Sequence, residues 1–465
     1  VRKEITITEQ IDEDYRSYAL YVIQSRGIPN FYDSLTPVQR LILLNAPTNF
    51  KKTVGVVGEV FATGLYHHGD SSMSQAISKL ARPFGCSDQI LLGDGFFGTP
   101  VNPSPSAPRY TQVKISSKYK TLIEKYKDLN EKNEEGGNDW IHVDHPLGLS
   151  THIVGIAVGY KSNILPRKPE DLDAYLEGNR KRAIKPYFKD FTGKVTKING
   201  LRESSWLIEG DIKIDENKKL IEINSLSPLQ RYDSFYNRLN RILERSELNY
   251  KMDNFSTDNV KISIRFRCTR DQFKAVSEKI EKETKQVVSE NIVFVKDGGV
   301  LSYETIEEYL DDFKIHRSMV ILKRFQKDLY YLNKELEYLE AKLKFLIFMS
   351  EKKRTNPEVN QFLSVFPKDI SRRLESISLT KLTKEEIISV KEEIKAIKAD
   401  IKKKTSEVKA QERISKSLIK NAPKRKKKAG PSSLMESFEE YYNGIKIWEP
   451  TEEEFEEEQL NTEDE

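Results

Sequence analysis

Two kinds of feature are nearly missing from this chain. Its 465 residues include only two cysteines, Cys86 and Cys268, far apart and in no CxxC pair, which argues against a disulfide framework and a structural zinc site. No window approaches eighteen uncharged apolar residues, and the N-terminus runs straight into the polar stretch Glu4–Arg16. The expectation is therefore a soluble, cytoplasmic protein without signal peptide or membrane span. The P-loop spacing Gly-x-x-x-x-Gly-Lys-Ser/Thr is absent too, so no nucleotide site is expected.

What is there is charge, unevenly spread. The net charge is +4, yet residues 449–465 hold ten acids and no Lys or Arg, so the preceding 448 residues carry +14. A basic body of this kind is compatible with a polyanionic partner and does not by itself establish one.

The pattern along the chain divides it into segments. Residues 26–150 mix short helical stretches with Gly- and Pro-rich loops, notably Gly93–Pro108, which ends at Arg109-Tyr110. Residues 151–314 alternate apolar and polar positions, with Ile212 and Ile214 facing Ile221 and Ile223 across the turn Asp215-Glu216-Asn217, and with Val260 to Cys268 as a further strand. From 315 to 420 the spacing turns helical. Leu322, Phe325, Leu329, Leu332, Leu336, Leu339, Leu343 and Leu346 form one seam, and Ile387, Val390, Ile394, Ile397 and Ile401 form another. The irregular patch at about 350–380 between them predicts two long antiparallel helices joined by a small globular cap. Residues 1–25 read as an N-terminal arm or helix, and 421–465 as a flexible tail, first basic (Pro423–Lys428) and then acidic.

Seven short motifs occur in order: Gly27-Ile-Pro, Asp33-Ser-Leu-Thr-Pro-Val-Gln-Arg40, Tyr66-His-His-Gly-Asp-Ser71, Ala81-Arg-Pro-Phe84, Gly95-Phe-Phe-Gly98, Pro108-Arg-Tyr110 and Gly155-Ile-Ala-Val-Gly159. Each alone is weak, and the ordered set is specific. It resembles the breakage-reunion part of type IIA DNA topoisomerases, the gyrase A and topoisomerase IV A subunits, over roughly residues 5–420. A short chain ending after paired helices is similar in layout to the medium subunits encoded by T-even-type bacteriophages.

The resemblance implies an α+β fold: a winged-helix domain, a tower-like α/β domain, and a long antiparallel coiled-coil arm whose cap closes a homodimer. It implies that Tyr110 attacks a DNA phosphate to give a 5′-phosphotyrosine. A free tyrosine has a pKa of about 10, so its phenol needs help in losing a proton. Arg109 is suited to the phosphorane-like transition state through bidentate contacts. Arg26 and His68 match family positions that touch the scissile phosphate, His68 being the better candidate for proton handling or charge stabilisation. Ile156, in a tight Gly-flanked turn, matches the family's intercalating isoleucine. Arg40 is expected on a phosphate, Ser71 at a drug-contact position, and Lys79 and Arg82 on a helix of about Ser71–Phe84 that enters the major groove. The chain departs from the family at Thr36, where a lysine is usual, and at Gln75, where bacterial enzymes usually carry an acid.

No metal or cofactor site is expected on this chain. The run Glu209-Gly-Asp211-Ile-Lys-Ile-Asp215 begins with the wording that opens a Toprim metal site, but no later Asp-x-Asp pair follows and its alternation reads as a hairpin edge. Mg²⁺ and ATP are expected on a partner subunit with Toprim and ATPase domains, and the other partner is double-stranded DNA. If the chain is phage-encoded, its compartment is the host cytoplasm. The rival readings are a non-catalytic architectural DNA-binding protein with a coiled coil, and a tyrosine recombinase, against which Tyr110 lies too near the N-terminus.

Overall fold

The computed structural model describes residues 21–180, 183–199, 204–351, 355–377 and 383–422, together with Ile7, Asp14, Tyr15, Tyr18 and Ala19. Most of the expected N-terminal arm and the basic and acidic tail beyond 422 lie outside the described residues. The chain divides into two compact units, built on Val1–His316 and Arg317–Lys426.

In the first unit the motif-bearing residues build helices around a small sheet. Helix α1 (Pro37–Leu44) starts where Pro37 fixes the first turn and the Gln39 side chain accepts from the Thr36 N–H at 3.0 Å, half of a capping box. Thr36 is thus the helix cap. Helix α2 (Thr53–Ala62) is apolar along Val56, Val57 and Val60. Helix α3 (Asp70–Ala81) follows the Tyr66–Gly69 turn and stops because Arg82 precedes Pro83 and is held extended, with ψ 142°. Strands β1 (Lys51–Lys52), β2 (Leu91–Asp94) and β3 (Gln112–Ile115) form an antiparallel sheet in the order β1-β3-β2, followed by α4 (Ser117–Glu124). Leu35, Ile42, Val56, Met73, Ile77, Leu91, Val113 and Leu147 are buried together in one core.

Beyond it, β4 (Ile153–Ile156) and β5 (Lys161–Ile164) form a hairpin, followed by α5 (Pro169–Leu176). Strands β6 (Lys194–Lys197), β7 (Ser205–Glu209) and β12 (Lys285–Ser289) make a sheet in the order β12-β7-β6. Strands β8 (Ile212–Asp215), β9 (Leu220–Ile223), β10 (Asn249–Asn254) and β11 (Ile262–Arg267) make another, in the order β10-β11-β9-β8. Helices α6 (Tyr232–Ser246) and α7 (Arg270–Glu283) share a core with the second sheet through Phe235, Leu239, Phe273 and Ile280. The expected pairing is seen, with Ile212 opposite Ile223 and Ile214 opposite Ile221. Of the run 209–215, Ile212–Asp215 is the expected hairpin edge, strand β8 paired with β9 at the rim of its sheet, whereas Glu209 ends β7 in the other sheet, ion-paired to Lys285 at 3.2 Å, with Gly210 as the step between them. A last hairpin, β13 (Ile292–Lys296) with β14 (Gly299–Tyr303), leads into α8 (Ile306–Glu351).

In the second unit α8 runs against α11 (Lys384–Lys420). Ser318 meets Ser415 (Oγ–Oγ 2.7 Å), Asp328 meets Lys404 (3.2 Å) and Lys342 meets Glu386 (2.7 Å), so one helix ascends as the other descends. Leu339, Leu346, Val390 and Ile394 form the buried seam between them. The irregular patch folds as two short helices, α9 (Asn356–Leu363) and α10 (Lys368–Glu375), which bury Leu363, Ile370 and Leu374 with Phe345.

Candidate active site and nucleic-acid interface

The Pro-rich loop delivers Tyr110 to solvent on a tight turn, its N–H donating to the Ala107 carbonyl at 2.9 Å. The side chain is 63% exposed, and the Arg109 guanidinium stands over the ring, 4.6 Å from its centroid. Resting on the face of the ring, the guanidinium keeps its fork of N–H donors available to an oxyanion. The turn is pinned beneath. Thr53 and Thr111 pair through buried hydroxyls at 2.8 Å, the Thr53 N–H donates to the Thr111 carbonyl at 3.0 Å, and the Val54 N–H donates to the Pro108 carbonyl at 3.3 Å. Gly95, at φ +96°, passes so close that a Cβ there would sit 3.2 Å from the Tyr110 carbonyl oxygen. No side chain among the described residues is hydrogen-bonded to the Tyr110 hydroxyl.

Arg26 and His68 are brought together elsewhere, with Tyr66 and His67, around a cleft of about 710 Å³ that Asp139, Trp140 and Asp297 also line. Arg26 is exposed on a π-helical turn (Ile23–Gly27), a wide i→i+5 turn of the kind found at functional sites. The segment after it is held like an extra strand: the Val295 N–H donates to the Pro29 carbonyl at 2.8 Å and the Phe31 N–H to the Val295 carbonyl at 2.7 Å. His68 is placed by edge-to-face rings, Phe61 on Tyr66 at 5.4 Å and Tyr66 on His68 at 5.4 Å. Burial lowers its pKa below the ordinary imidazole value, and the positive neighbours Arg26 and His67 lower it further. His68 is therefore neutral at neutral pH and able to accept a proton.

The cleft lining includes neither Arg109 nor Tyr110. Tyr110 is tied to the first turn of α2 and the Tyr66–His68 stack to its last turn, through Phe61. At 1.5 Å per residue the two ends of this ten-residue helix are about 15 Å apart.

The remaining candidates sort by surface. Ser71, Gln75 and Lys79, spaced by four, form an exposed stripe on α3, where the Gln75 amide donates to the Ser71 hydroxyl at 3.4 Å. Arg82 falls outside that stripe: it lies past the helix end, half-buried, its guanidinium 4.9 Å from the Phe84 ring centre. Arg40 is a correction. It is 3% exposed and clasps the fully buried Asp33 by Nε at 2.7 Å and Nη2 at 3.1 Å, with Nη2 also donating to the Leu35 carbonyl. Arg40 also lines the Arg26–His68 cleft, but its guanidinium is committed to Asp33 and to the Leu35 carbonyl, which speaks against the expected phosphate contact. Ile156 is not in the turn but ends strand β4, and it is 71% exposed, not a core residue. Lys161 lies directly opposite it at the start of β5.

Two features escaped the sequence. One is the Thr53–Thr111 pin. The other is a glycine contact, in which a Cβ built on Gly27 would collide with the Ile156 carbonyl oxygen, and one on Gly155 with the Gly27 carbonyl oxygen. Both glycines stand in motifs, which was the available signal, but nothing local says that they face each other.

The sequence model of the family formed by the A subunits of DNA gyrase and topoisomerase IV matches residues 26–422. The chain is 25% identical over 334 residues to the DNA topoisomerase medium subunit of Enterobacteria phage T4, covering 68% of this chain and 74% of that one. It is 25% identical over 366 residues to DNA topoisomerase 2 of Penicillium chrysogenum, covering 74% of this chain but only 23% of the fungal enzyme. Over 186 residues it is 34% identical to the A subunit of DNA topoisomerase 4 from Escherichia coli (strain K12), covering 35% of this chain and 24% of that one. Its mixed α/β fold matches the DNA-binding, cleavage and re-ligation domain of Plasmodium falciparum topoisomerase II, with a TM-score of 0.69 at 21% identity, over 88% of this chain and 65% of that one.

Proposed function

The chain belongs to the family of DNA gyrase and topoisomerase IV A subunits, and from that premise we propose that it is the DNA-cleaving and rejoining subunit of an ATP-dependent type IIA topoisomerase. The observation that carries the reading is Tyr110, exposed on a pinned turn with Arg109 across its ring. In the proposed step the phenol loses its proton, its oxygen bonds to the phosphorus, and the P–O3′ bond breaks. The 3′ oxygen leaves with a proton, giving a 5′-phosphotyrosine, and the reverse attack by that 3′ hydroxyl reseals the strand. Arg109 stabilises charge on the non-bridging oxygens, and the neutral imidazole of His68, beside Arg26, takes up the proton.

The separation along α2 supports a dimeric site. One phosphate can meet both groups if Tyr110 and Arg109 come from one copy and the Arg26–His68 cleft from its partner, so each active site is shared between two chains. Residues 26–150 are read as a winged-helix cleavage domain in which Ser71 and Lys79 face the gate duplex, and 151–314 as a tower-like domain. Residues 315–420 are read as a coiled coil whose cap closes the second dimer contact, the antiparallel α8–α11 pairing supporting that reading. Ile156, exposed at the end of β4, is the wedge that opens a base step and bends the gate duplex, a deformation of about 1–6 kcal/mol.

Among the described residues no three His, Cys, Asp or Glu side chains are grouped to hold a metal ion, and no step here is routed through one. Mg²⁺, which would assist the leaving oxygen, and ATP are assigned to a partner with Toprim and ATPase domains that works with this chain on DNA in the cytoplasm. The test is to combine this chain, that partner, Mg²⁺ and labelled duplex, and to denature. The expected result is protein covalently attached at 5′ ends, lost in Tyr110→Phe while DNA binding persists. Adducts formed by Tyr110→Phe, or at 3′ ends, would overturn the reading. Binding without any adduct would leave the architectural protein instead.

A further inference from the structure

The β4–β5 hairpin has one face committed to the protein. Ile153 and Ile164 are buried, and the buried Ser162 hydroxyl donates to the Val293 carbonyl of β13 at 2.5 Å. The other face is open: Val154 is 54% and Ile156 71% exposed, and Lys161, also exposed, makes no hydrogen bond or ion pair among the described residues. Ile156 and Lys161 are register partners. Directly opposite residues of an antiparallel pair project from the same face, with their Cα atoms about 4.5–5.5 Å apart. The hairpin therefore presents two β-branched side chains two residues apart and a single unpaired ammonium beside the outer one. Such an apolar strip with a cation at its side has the chemistry of an element that enters a minor groove, where wedges unstack bases and cations meet the flanking phosphates.

We propose that Lys161 is a positioning residue for the bent gate duplex, its ammonium resting on the backbone phosphate beside the base step that Ile156 opens while Val154 lies against the groove wall. The inference rests on the reading of Ile156 as the wedge. The rigid register makes the two side chains act as a unit: the wedge cannot enter the stack without bringing the ammonium to the adjacent backbone, and the charge contact holds the wedge against expulsion. Lysine suits this place as a mobile point charge able to follow a phosphate that moves as the duplex bends.

The experiment uses the full chain and an end-labelled duplex of about 30 base pairs, long enough to report a bend. Affinity is measured against salt concentration, and bend angle by energy transfer between the ends, for wild type, Lys161→Ala, Lys161→Arg and Ile156→Ala. Each phosphate contact contributes about 0.9 to the slope of log affinity against log salt. Lys161→Ala should flatten that slope by about 0.9 per chain bound and reduce the bend, Lys161→Arg should restore both, and Ile156→Ala should straighten the DNA with the slope nearly intact. An unchanged slope in Lys161→Ala, or an equal loss of affinity at every salt concentration, beside a straightened duplex in Ile156→Ala, overturns the proposal alone. A flatter slope in Lys161→Ala with no bend lost in Ile156→Ala removes the wedge reading and, with it, the positioning role.

Discussion

Gly27 packs backbone to backbone against Gly155 and Ile156: a Cβ on Gly155 would fall on the Gly27 carbonyl oxygen, and a Cβ on Gly27 on the Ile156 carbonyl oxygen. Arg26 is the neighbour of one and Ile156 of the other, so this contact fixes the distance between a proposed phosphate ligand and the proposed wedge. Alanine at either position drives a methyl into a carbonyl oxygen that cannot step aside, and overpacking of this kind costs about 1–3 kcal/mol. Gly27→Ala and Gly155→Ala should each lower the melting temperature and weaken DNA bending and cleavage together. Gly58→Ala, in the middle of α2 with nothing within 4 Å of its added methyl, should instead stabilise by about 0.5–1 kcal/mol. Thermal melts of the three variants decide this, and a harmless Gly155→Ala would refute it.

The Asp33–Arg40 pair predicts a separation of stability from DNA binding. Asp33 accepts from Arg40 and from the Leu35 and Ile141 N–H groups, all within 3.1 Å. Removing one partner of a buried pair strands the other, at about 3–5 kcal/mol. Asp33→Ala should show that loss in denaturant unfolding. Arg40→Met should also be destabilised yet keep the wild-type salt slope of DNA affinity, whereas a phosphate ligand would flatten it.

On the proposed role of His68, its lowered pKa should set the acid limb of cleavage. Burial, then Arg26 and His67, hold the imidazole neutral to lower pH than a free histidine. Single-turnover cleavage by the assembled enzyme should fall only as the pH drops below the ordinary imidazole value of about 6.5. Arg26→Ala removes one lowering charge, so the limb should move to higher pH. A limb that stays in place would show that another group carries the proton.

His152, beside the hairpin, gives a stability counterpart. Burial lowers its pKa, and its Nε2 lies 2.9 Å from the Asn163 Oδ1, to which it donates. With the folded value below the unfolded one, its contribution is intact above the unfolded pKa and is lost as the pH falls below it, because the unfolded chain takes up the proton first. Melting temperature should therefore decline on acidification from about pH 7 to about 5, less steeply in His152→Gln.

Local signals were legible and long-range ones were not. The helical seams follow from the spacing of Leu339, Leu346, Val390 and Ile394, and the β8–β9 pairing from alternate isoleucines, because each pattern is written within a few residues. Tyr110 was singled out by the ordered motifs, and its exposure on a pinned turn is compatible with the role proposed for it. Arg40 was misread because a guanidinium beside a carboxylate in sequence has the same letters whether it clasps that carboxylate or a phosphate, and only burial separates the two. The Thr53–Thr111 pin and the Gly27–Gly155 contact join residues whose separation in the chain carries no periodicity, so nothing in the string announced them.

The strand-like bonds between Pro29–Phe31 and Val295 have a consequence for biosynthesis. The segment carrying Arg26 is made before its anchor on β13, from which residues 32–294 separate it. At about 5–20 residues per second the anchor emerges on the order of tens of seconds later. Until then the cleft lacks one wall, and a nascent or prematurely terminated chain that already displays Tyr110 has no formed Arg26–His68 cleft to offer a partner. On the proposed mechanism, Tyr110 is thereby kept idle until β13 has been made.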